Sequence, residues 1–345
     1  MTGATDSSLP DPCRPAFEAA ARWRFLATLG AVLAYRFLLA ATFPVLGDEA
    51  YLFTWAREPA WGYYDHPPLA AWLLRPLVAA GLGGSLFALR LPSVLLYPAL
   101  AVALVALVRR LVPEAGPDRA YLAGTLFLLV PVHVVGVLML TDVPLVLCSF
   151  LAVAALCLAE RPAEGEEGRG ALGWYATAGV FLGLALLAKY FAALVGAAFL
   201  VWFLSAGWTR RRVAGFALLV ACALPFVLVH LAWNATHCWS TVAFNLYSRH
   251  AGEGRNYNIP RNLLVYAGTL LYLAGPPLLW SLGRRWRRWA EALRSPGLGP
   301  AALAFLVPMS LLLASAAALL FGAYWMLPFV PFLFLLAPGL LERRE

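Results

Sequence analysis

Charge is what this sequence lacks most. Asp, Glu, Lys and Arg make up 13% of its 345 residues, against about 25% in an average soluble domain. Lysine is nearly absent: of 26 basic residues, Lys189 alone is not arginine. Apolar residues reach 62%, and mean hydropathy is +0.75. No globule in water hides that much apolar surface, so a soluble enzyme, a coiled coil and a disordered chain are excluded. Cysteine is sparse as well. Cys13, Cys148, Cys157, Cys222 and Cys238 form no C-x-x-C pair, and no Cys/His set has zinc spacing. A cysteine-based metal centre is therefore not expected. Residues 1–21 lack the apolar core of a cleavable signal peptide and carry Asp6, Asp11, Arg14 and Glu18. No internal repeat is visible. The formal net charge is +8, but it sits in short clusters between apolar runs, which argues against a nucleic-acid partner.

What is present in quantity is apolar sequence in lengths suited to a bilayer. A spanning helix needs about 20 mostly apolar residues. Runs of that kind lie at about 23–46, 86–108, 120–138, 143–159, 171–188, 190–207, 213–233, 262–282, 300–322 and 324–341. This predicts an all-α polytopic membrane protein with about ten spans. The fifth and sixth runs are short and nearly continuous, and one span with re-entrant pieces is the alternative there. Segment 67–83 is apolar but broken by Pro67, Pro68, Arg75 and Pro76. It reads as an amphipathic helix lying in the interface. Basic residues set the orientation. With both termini in the cytoplasm, the inner segments hold eighteen basic residues and the outer ones six. The outer face then carries two long loops, about 47–85 and 234–261. The Arg, Ala, Leu and Gly bias fits a GC-rich bacterial genome, and the expected location is a bacterial inner membrane.

Most charges in the outer loops have a plain structural reading beside a chemical one. Asp48 and Glu49 follow the first span; they could cap a short helix through Tyr51 and Trp55, or act as membrane-surface carboxylates with a function. In Gly62-Tyr63-Tyr64-Asp65-His66-Pro67-Pro68, a rigid turn feeds the interfacial helix. There Asp65 suits a helix cap, and His66 suits a hydrogen-bonded loop position. Thr141-Asp142-Val143-Pro144 is helix-start chemistry, yet Asp142 is the sole charge between Arg119 and Glu160 and is predicted on the same side as Asp48. Two carboxylates delivered to one face could activate a hydroxyl. Lys189 either snorkels to lipid phosphates or binds a substrate phosphate. Loop 234–261 adds Trp239, Phe244, Arg249, His250, Arg255 and Arg261, which suit an anionic, partly apolar ligand or an anionic lipid surface.

Taken in order, Asp48-Glu49-Ala-Tyr51, Trp61-Gly-Tyr-Tyr-Asp65-His66-Pro-Pro-Leu, Arg90-Leu-Pro-Ser93, Thr141-Asp142-Val-Pro-Leu, Ala188-Lys189-Tyr190 and Ala323-Tyr-Trp-Met-Leu-Pro328 resemble the GT-C membrane glycosyltransferases. The narrower resemblance is to the group of protein O-mannosyltransferases and lipid A aminoarabinose and galacturonic acid transferases, glycosyltransferase families 39 and 83. It runs from about 47 to 338. The resemblance implies a GT-C-like transmembrane catalytic domain over 23–341, after a cytoplasmic tail at 1–22, with interfacial helices in the first outer loop. It also implies a polyprenyl-phosphate sugar donor and chemistry on the outer, periplasmic face. The family's acidic residues of the first and second loops fall on Asp48 and Asp142. Many relatives continue into a soluble C-terminal domain; none is expected here, which leaves room for a partner subunit in recognising the acceptor.

The implied reaction is an inverting sugar transfer. Asp48 would act as base, with Glu49 in its place if the register differs by one. Asp142 would position hydroxyls or stabilise developing positive charge. Lys189, Arg249 and Arg255 would hold the leaving phosphate. Tyr63, Tyr64, Asp65 and His66 would bind substrate or structure the loop. No cofactor is required by these residues; a divalent metal is compatible with two carboxylates but not demanded. The acceptor would be a glycolipid, a glycan or a protein. A transporter or flippase, and a non-catalytic scaffold binding a polyprenyl lipid, are the alternatives. Transporters commonly show repeats and charges in mid-span, and this chain crowds its charges into loops instead.

Overall fold

The computed structural model describes residues 14–161, 169–247, 258–318 and 321–340. Among these residues every regular element is helical. The chain opens with α1 (Arg14–Thr42), followed by the short helices α2 (Gly47–Arg57) and α3 (Leu69–Ala79) of the first long loop. Then come α4 (Leu86–Leu111), α5 (Pro117–Leu128) and α6 (Pro131–Val135). The pair α7 (Asp142–Glu160) and α8 (Arg169–Ala188) precedes α9 (Ala193–Ser205) and α10 (Arg210–Thr236). The last third holds α11 (Ser240–Leu246), α12 (Ile259–Ala274), α13 (Pro276–Arg284), α14 (Trp286–Arg294), α15 (Gly299–Ala318) and α16 (Val330–Leu340).

Six of these helices are long and apolar enough to cross a membrane: α1, α4, α7, α8, α10 and α15. The remaining four apolar runs fold as shorter or broken helices, for local reasons. Run 120–138 splits at Pro131 into α5 and α6. Run 262–282 breaks where Gly275 takes φ 78°, just before Pro276, as suits a left-handed glycine followed by a helix-starting proline. Run 324–341 begins as a 3-10 turn over Ala323–Phe329 and continues as α16. Runs 171–188 and 190–207 are two helices, because Lys189 between them is extended (φ −165°, ψ 143°). Segment 67–83, read as an interfacial helix, holds α3 over Leu69–Ala79.

Helix α7 is the centre of the bundle, with buried residues on all its faces. It packs on α8, and α8 packs on α10. The α8–α10 contact is close because glycines face it. A Cβ on Gly179 would lie 2.2 Å from the Leu219 carbonyl oxygen, and one on Gly183 would lie 2.5 Å from the Phe226 ring. Small residues are the usual means of close helix approach where lipid supplies no hydrophobic drive. At the end of α7 opposite Asp142, buried Glu160 receives both Nε and Nη2 of Arg212 (Nη2 at 2.6 Å) and the Tyr175 hydroxyl. The 19 residues of α7 span about 28 Å at 1.5 Å each. Asp142 and this arginine cluster therefore lie about one hydrocarbon thickness apart.

Two arginines inside the bundle fix the cavity wall. Arg36 of α1 donates to the carbonyls of Val94 and Gly136, each at 2.9 Å, and to those of Ser93 and His133. Arg90 of α4 and Glu49 of α2, both fully buried, form a bidentate pair at 2.8 and 2.6 Å. Arg90 also caps the end of α1 through the carbonyls of Ala40, Phe43 and Pro44. Glu49 further accepts the Met139 N–H at 3.0 Å. Both Glu49 oxygens and both guanidiniums are hydrogen-bonded, which is the condition for a buried charge to persist. Together the two arginines tie α1, α2, α4 and segment 136–141 into one frame.

Candidate active site

Within that frame lies a cavity of about 480 Å³, in the range of small-ligand sites. Its charged lining comes from four separate segments: Asp48 on α2, Asp65 in the following loop, Asp142 at the start of α7, and Lys189 after α8. Tyr51, Trp55, His66, Tyr97, Val132, Leu138 and Tyr324 supply much of the remaining wall. The sequence spacing of 94 residues between Asp48 and Asp142 is closed by the frame.

Asp48 and Glu49 are neighbours with opposite fates. They occupy the first turn of α2, whose N-cap residue is Leu46, so neither is the cap. Consecutive helical residues point about 100° apart. Glu49 turns inward to Arg90; Asp48 is exposed, lines the cavity, and has no hydrogen-bond partner among the described residues. Glu49 is not a cavity residue, and its carboxylate is fully engaged. It holds the frame, which corrects its place as an alternative base.

Asp142 does not face the cavity alone. Lys189 Nζ lies 3.0 Å from its Oδ1 and 2.9 Å from its Oδ2. The two side chains are 15% and 9% exposed, so the pair is shielded but reachable from the cavity. The local folding explains the pairing. Asp142 sits in the first turn of α7 and Lys189 directly after the last turn of α8. The negative group is at a helix N-terminus and the positive one at a C-terminus, each favoured by the helix dipole. Thr141 makes no side-chain cap, so the pairing rather than capping accounts for Asp142. The ammonium also lies 4.8 Å from the centroid of Tyr324 and 5.8 Å from that of Phe191. Lys189 faces the cavity, not lipid.

The Tyr-Tyr-Asp-His loop is fixed from several sides. Tyr63 stacks on Trp55 at 4.4 Å, and its hydroxyl bonds the carbonyls of Trp55 and Glu58 and the Ala60 N–H. Burial pushes its pKa above the ordinary value, and Glu58 adds to the shift. Tyr64 is exposed and meets Phe244 at 5.0 Å. From α11, Thr241 donates to the Tyr63 carbonyl at 2.6 Å and Asn245 to the Asp65 carbonyl at 2.9 Å. Gly62 is required by the approach of Trp233, whose ring would lie 2.4 Å from a Cβ there. Asp65 does not cap α3, whose N-cap residue is Pro68. Its Oδ1 is instead buried at the cavity with no hydrogen-bond partner among the described residues. The Asp65 charge reaches Tyr51: burial first, and then this carboxylate, raise the Tyr51 pKa.

Arg249 and Arg255 lie outside the described residues. Among the described ones, no group of three or more His, Cys, Asp or Glu is arranged to hold a metal ion. Sequence reasoning left Arg36 and Arg90 without roles and gave Tyr97 none. A mid-span arginine was itself the available signal, since charges at membrane depth are costly.

With the geometry in place, comparison with known proteins is informative. The family described as dolichyl-phosphate-mannose-protein mannosyltransferase matches residues 65–233. The lipid A galacturonosyltransferase RgtD of Rhizobium johnstonii is 28% identical over 244 residues, covering 69% of this chain and 49% of that protein. The crystal structure of apo ArnT from Cupriavidus metallidurans superposes with a TM-score of 0.69 at 19% identity, covering 95% of this chain and 61% of ArnT. The structure of the same protein bound to undecaprenyl phosphate gives 0.68 at 18% identity, covering 94% and 61%. The chain thus spans about half the length of the curated relative it matches. The motif-based resemblance is borne out by sequence and by fold.

Proposed function

The chain has the GT-C fold of membrane glycosyltransferases, and from that premise we propose that it transfers a sugar from a polyprenyl-phosphate donor to an acceptor. The reaction takes place on the outer face of a bacterial inner membrane, with both termini cytoplasmic. The observation that supports this reading best is that Asp48, Asp142 and Lys189 line one cavity. Undecaprenyl phosphate bound to ArnT and the lipid A in the name of RgtD support a polyprenyl-phosphate donor and a glycolipid acceptor.

The acceptor hydroxyl attacks the anomeric carbon from the side opposite the phosphate, which inverts that centre. Asp48 takes the hydroxyl proton. Unlike Asp142, it is a cavity carboxylate with no cation beside it among the described residues, so its basicity is not reduced by a partner. The anomeric C–O bond breaks, and its electron pair leaves with the polyprenyl phosphate. A phosphate is stable as an anion and needs no general acid; cations that hold it suffice. Lys189 has three N–H donors. Two reach Asp142, and the third is free for a phosphate oxygen. Asp142 orients that ammonium in a shielded site, where the unpaired cation would be costly. We assign Arg249 and Arg255 as further donors to the phosphate, and the Asp65 carboxylate as an acceptor for a sugar hydroxyl. A pentose or hexose fits the cavity.

The test is mass spectrometry of lipids and glycans from a strain lacking the gene. A single sugar modification should disappear, and restoring the wild-type gene but not Asp48→Asn should return it. An unchanged lipid and glycan profile would overturn the reading.

A further inference from the structure

A second concavity lies in the first long loop, apart from the cavity with the acids. It is a cleft of about 400 Å³ lined by Pro59, Ala60, Trp61, Trp72, Arg75 and Pro76. Trp61 is 58% exposed. Its ring meets that of Trp72 edge to face, at 5.1 Å and 90°. The Trp72 indole is held by Nε1, which donates to the Ala60 carbonyl at 2.8 Å, and the Trp61 backbone by its carbonyl, 3.4 Å from His230 Nδ1. Arg75, one turn along α3, is anchored through Nη1 to the carbonyls of Arg57 at 3.1 Å and Ala56 at 3.5 Å. Its Nε and Nη2 have no hydrogen-bond partner among the described residues. Arg57 and Arg75 against Glu58 leave the rim positive.

The Trp61 indole lines a concave wall, edge to face with Trp72 and beside a guanidinium. A rigid aromatic costs little ordering entropy on binding. Its flat face suits the C–H face of a pyranose ring, and a guanidinium suits a phosphate or carboxylate on that ring. The cavity with the acids is large enough for a sugar and its phosphate but not for an extended acceptor as well, so part of the acceptor rests elsewhere. The cleft is coupled to that cavity by a short wall: Trp55 lines the cavity, Tyr63 stacks on Trp55, and the Tyr63 hydroxyl takes the N–H of Ala60 in the cleft at 3.2 Å.

We propose that the Trp61–Trp72–Arg75 cleft is an acceptor subsite that binds an anionic saccharide headgroup. This rests on the glycosyltransferase reading above. The test uses the full chain in phosphatidylcholine nanodiscs with three probes: lipid A, a phosphorylated disaccharide lipid; phosphatidylglycerol vesicles; and undecaprenyl phosphate. Trp61→Ala and Arg75→Gln are both at exposed positions. Each should weaken lipid A binding about tenfold or more, as for loss of a central aromatic or arginine contact. Neither should change binding of the other two probes. Unchanged lipid A binding in both variants, or no lipid A binding by the wild type, overturns the subsite. A parallel fall for phosphatidylglycerol also overturns it and marks an interfacial anchor instead. If the wild type fails to bind undecaprenyl phosphate while Trp61-dependent lipid A binding persists, the donor reading fails and the subsite stands.

Discussion

Asp48 and Glu49 are chemically alike and adjacent, yet the structure gives them opposite sensitivities. Consider Glu49→Gln. The Glu49 carboxylate accepts from Arg90 Nε and Nη2 and from the Met139 N–H, with both side chains fully buried. A glutamine keeps one acceptor oxygen but turns an NH2 group toward a guanidinium that can only donate. It also leaves the Arg90 charge buried without a counter-charge. Breaking a buried pair from one side costs about 3–5 kcal/mol. For a chain of this size that lowers Tm by roughly 6–10 °C, at about 2 °C per kcal/mol. Asp48→Asn removes a charge from an exposed carboxylate with no partner among the described residues, and surface changes of that kind stay within about 0.5 kcal/mol. The assay is thermal unfolding of the detergent-solubilised variants at a fixed heating rate, with transfer activity measured in parallel. Glu49→Gln should melt well below the wild type. Asp48→Asn should melt with the wild type and lose turnover. The double variant Glu49→Leu/Arg90→Met should recover part of the lost stability, because an apolar pair leaves no stranded charge. Equal melting of Glu49→Gln and wild type would refute the role of the pair, and a large fall for Asp48→Asn would refute its isolation.

Lys189→Met should slow turnover by about 10²–10³, the loss expected for one electrostatic stabiliser, and raise the donor KM; near-normal kinetics would remove Lys189 from the phosphate site. Asp142→Asn should affect both kcat and KM, because it releases the ammonium that its two oxygens hold, whereas Asp48→Asn should lower kcat alone. Gly179→Ala should destabilise by about 1–3 kcal/mol by overpacking the α8–α10 contact, while Gly173→Ala, with nothing within 4 Å of its Cβ, should not; unfolding midpoints of the two variants check this. Cys238 is exposed and Cys148 and Cys157 are buried, so a membrane-impermeant maleimide added outside intact spheroplasts should label the chain through Cys238. Retention of the label in the double variant Cys222→Ser/Cys238→Ser would reverse the predicted orientation.

The sequence by itself determined the class of molecule. Scarce charge and ten apolar runs require helices in a membrane, because a lipid-facing backbone must satisfy its hydrogen bonds within its own segment. The ordered motifs also marked Asp48, Asp142, Lys189 and the Tyr-Tyr-Asp-His loop, since each is a polar group in a chain that otherwise spends very few. What the tertiary structure decided is which polar groups are partners. Lys189 and Asp142 are 47 residues apart, and only the antiparallel packing of α7 on α8 brings one helix start to the other helix end. The choice between Asp48 and Glu49 was not legible either. It depends on where Arg90 of α4 lies relative to the first turn of α2, a contact across 41 residues. Asp65 was read as a cap because Asp before proline favours one locally. The fold places it at the cavity instead, with Thr241 and Asn245 of α11 holding the loop backbone in that position. Composition and period act through local chain physics and are visible one segment at a time. Ion-pair partners and cavity walls depend on how distant segments pack, which no local pattern encodes.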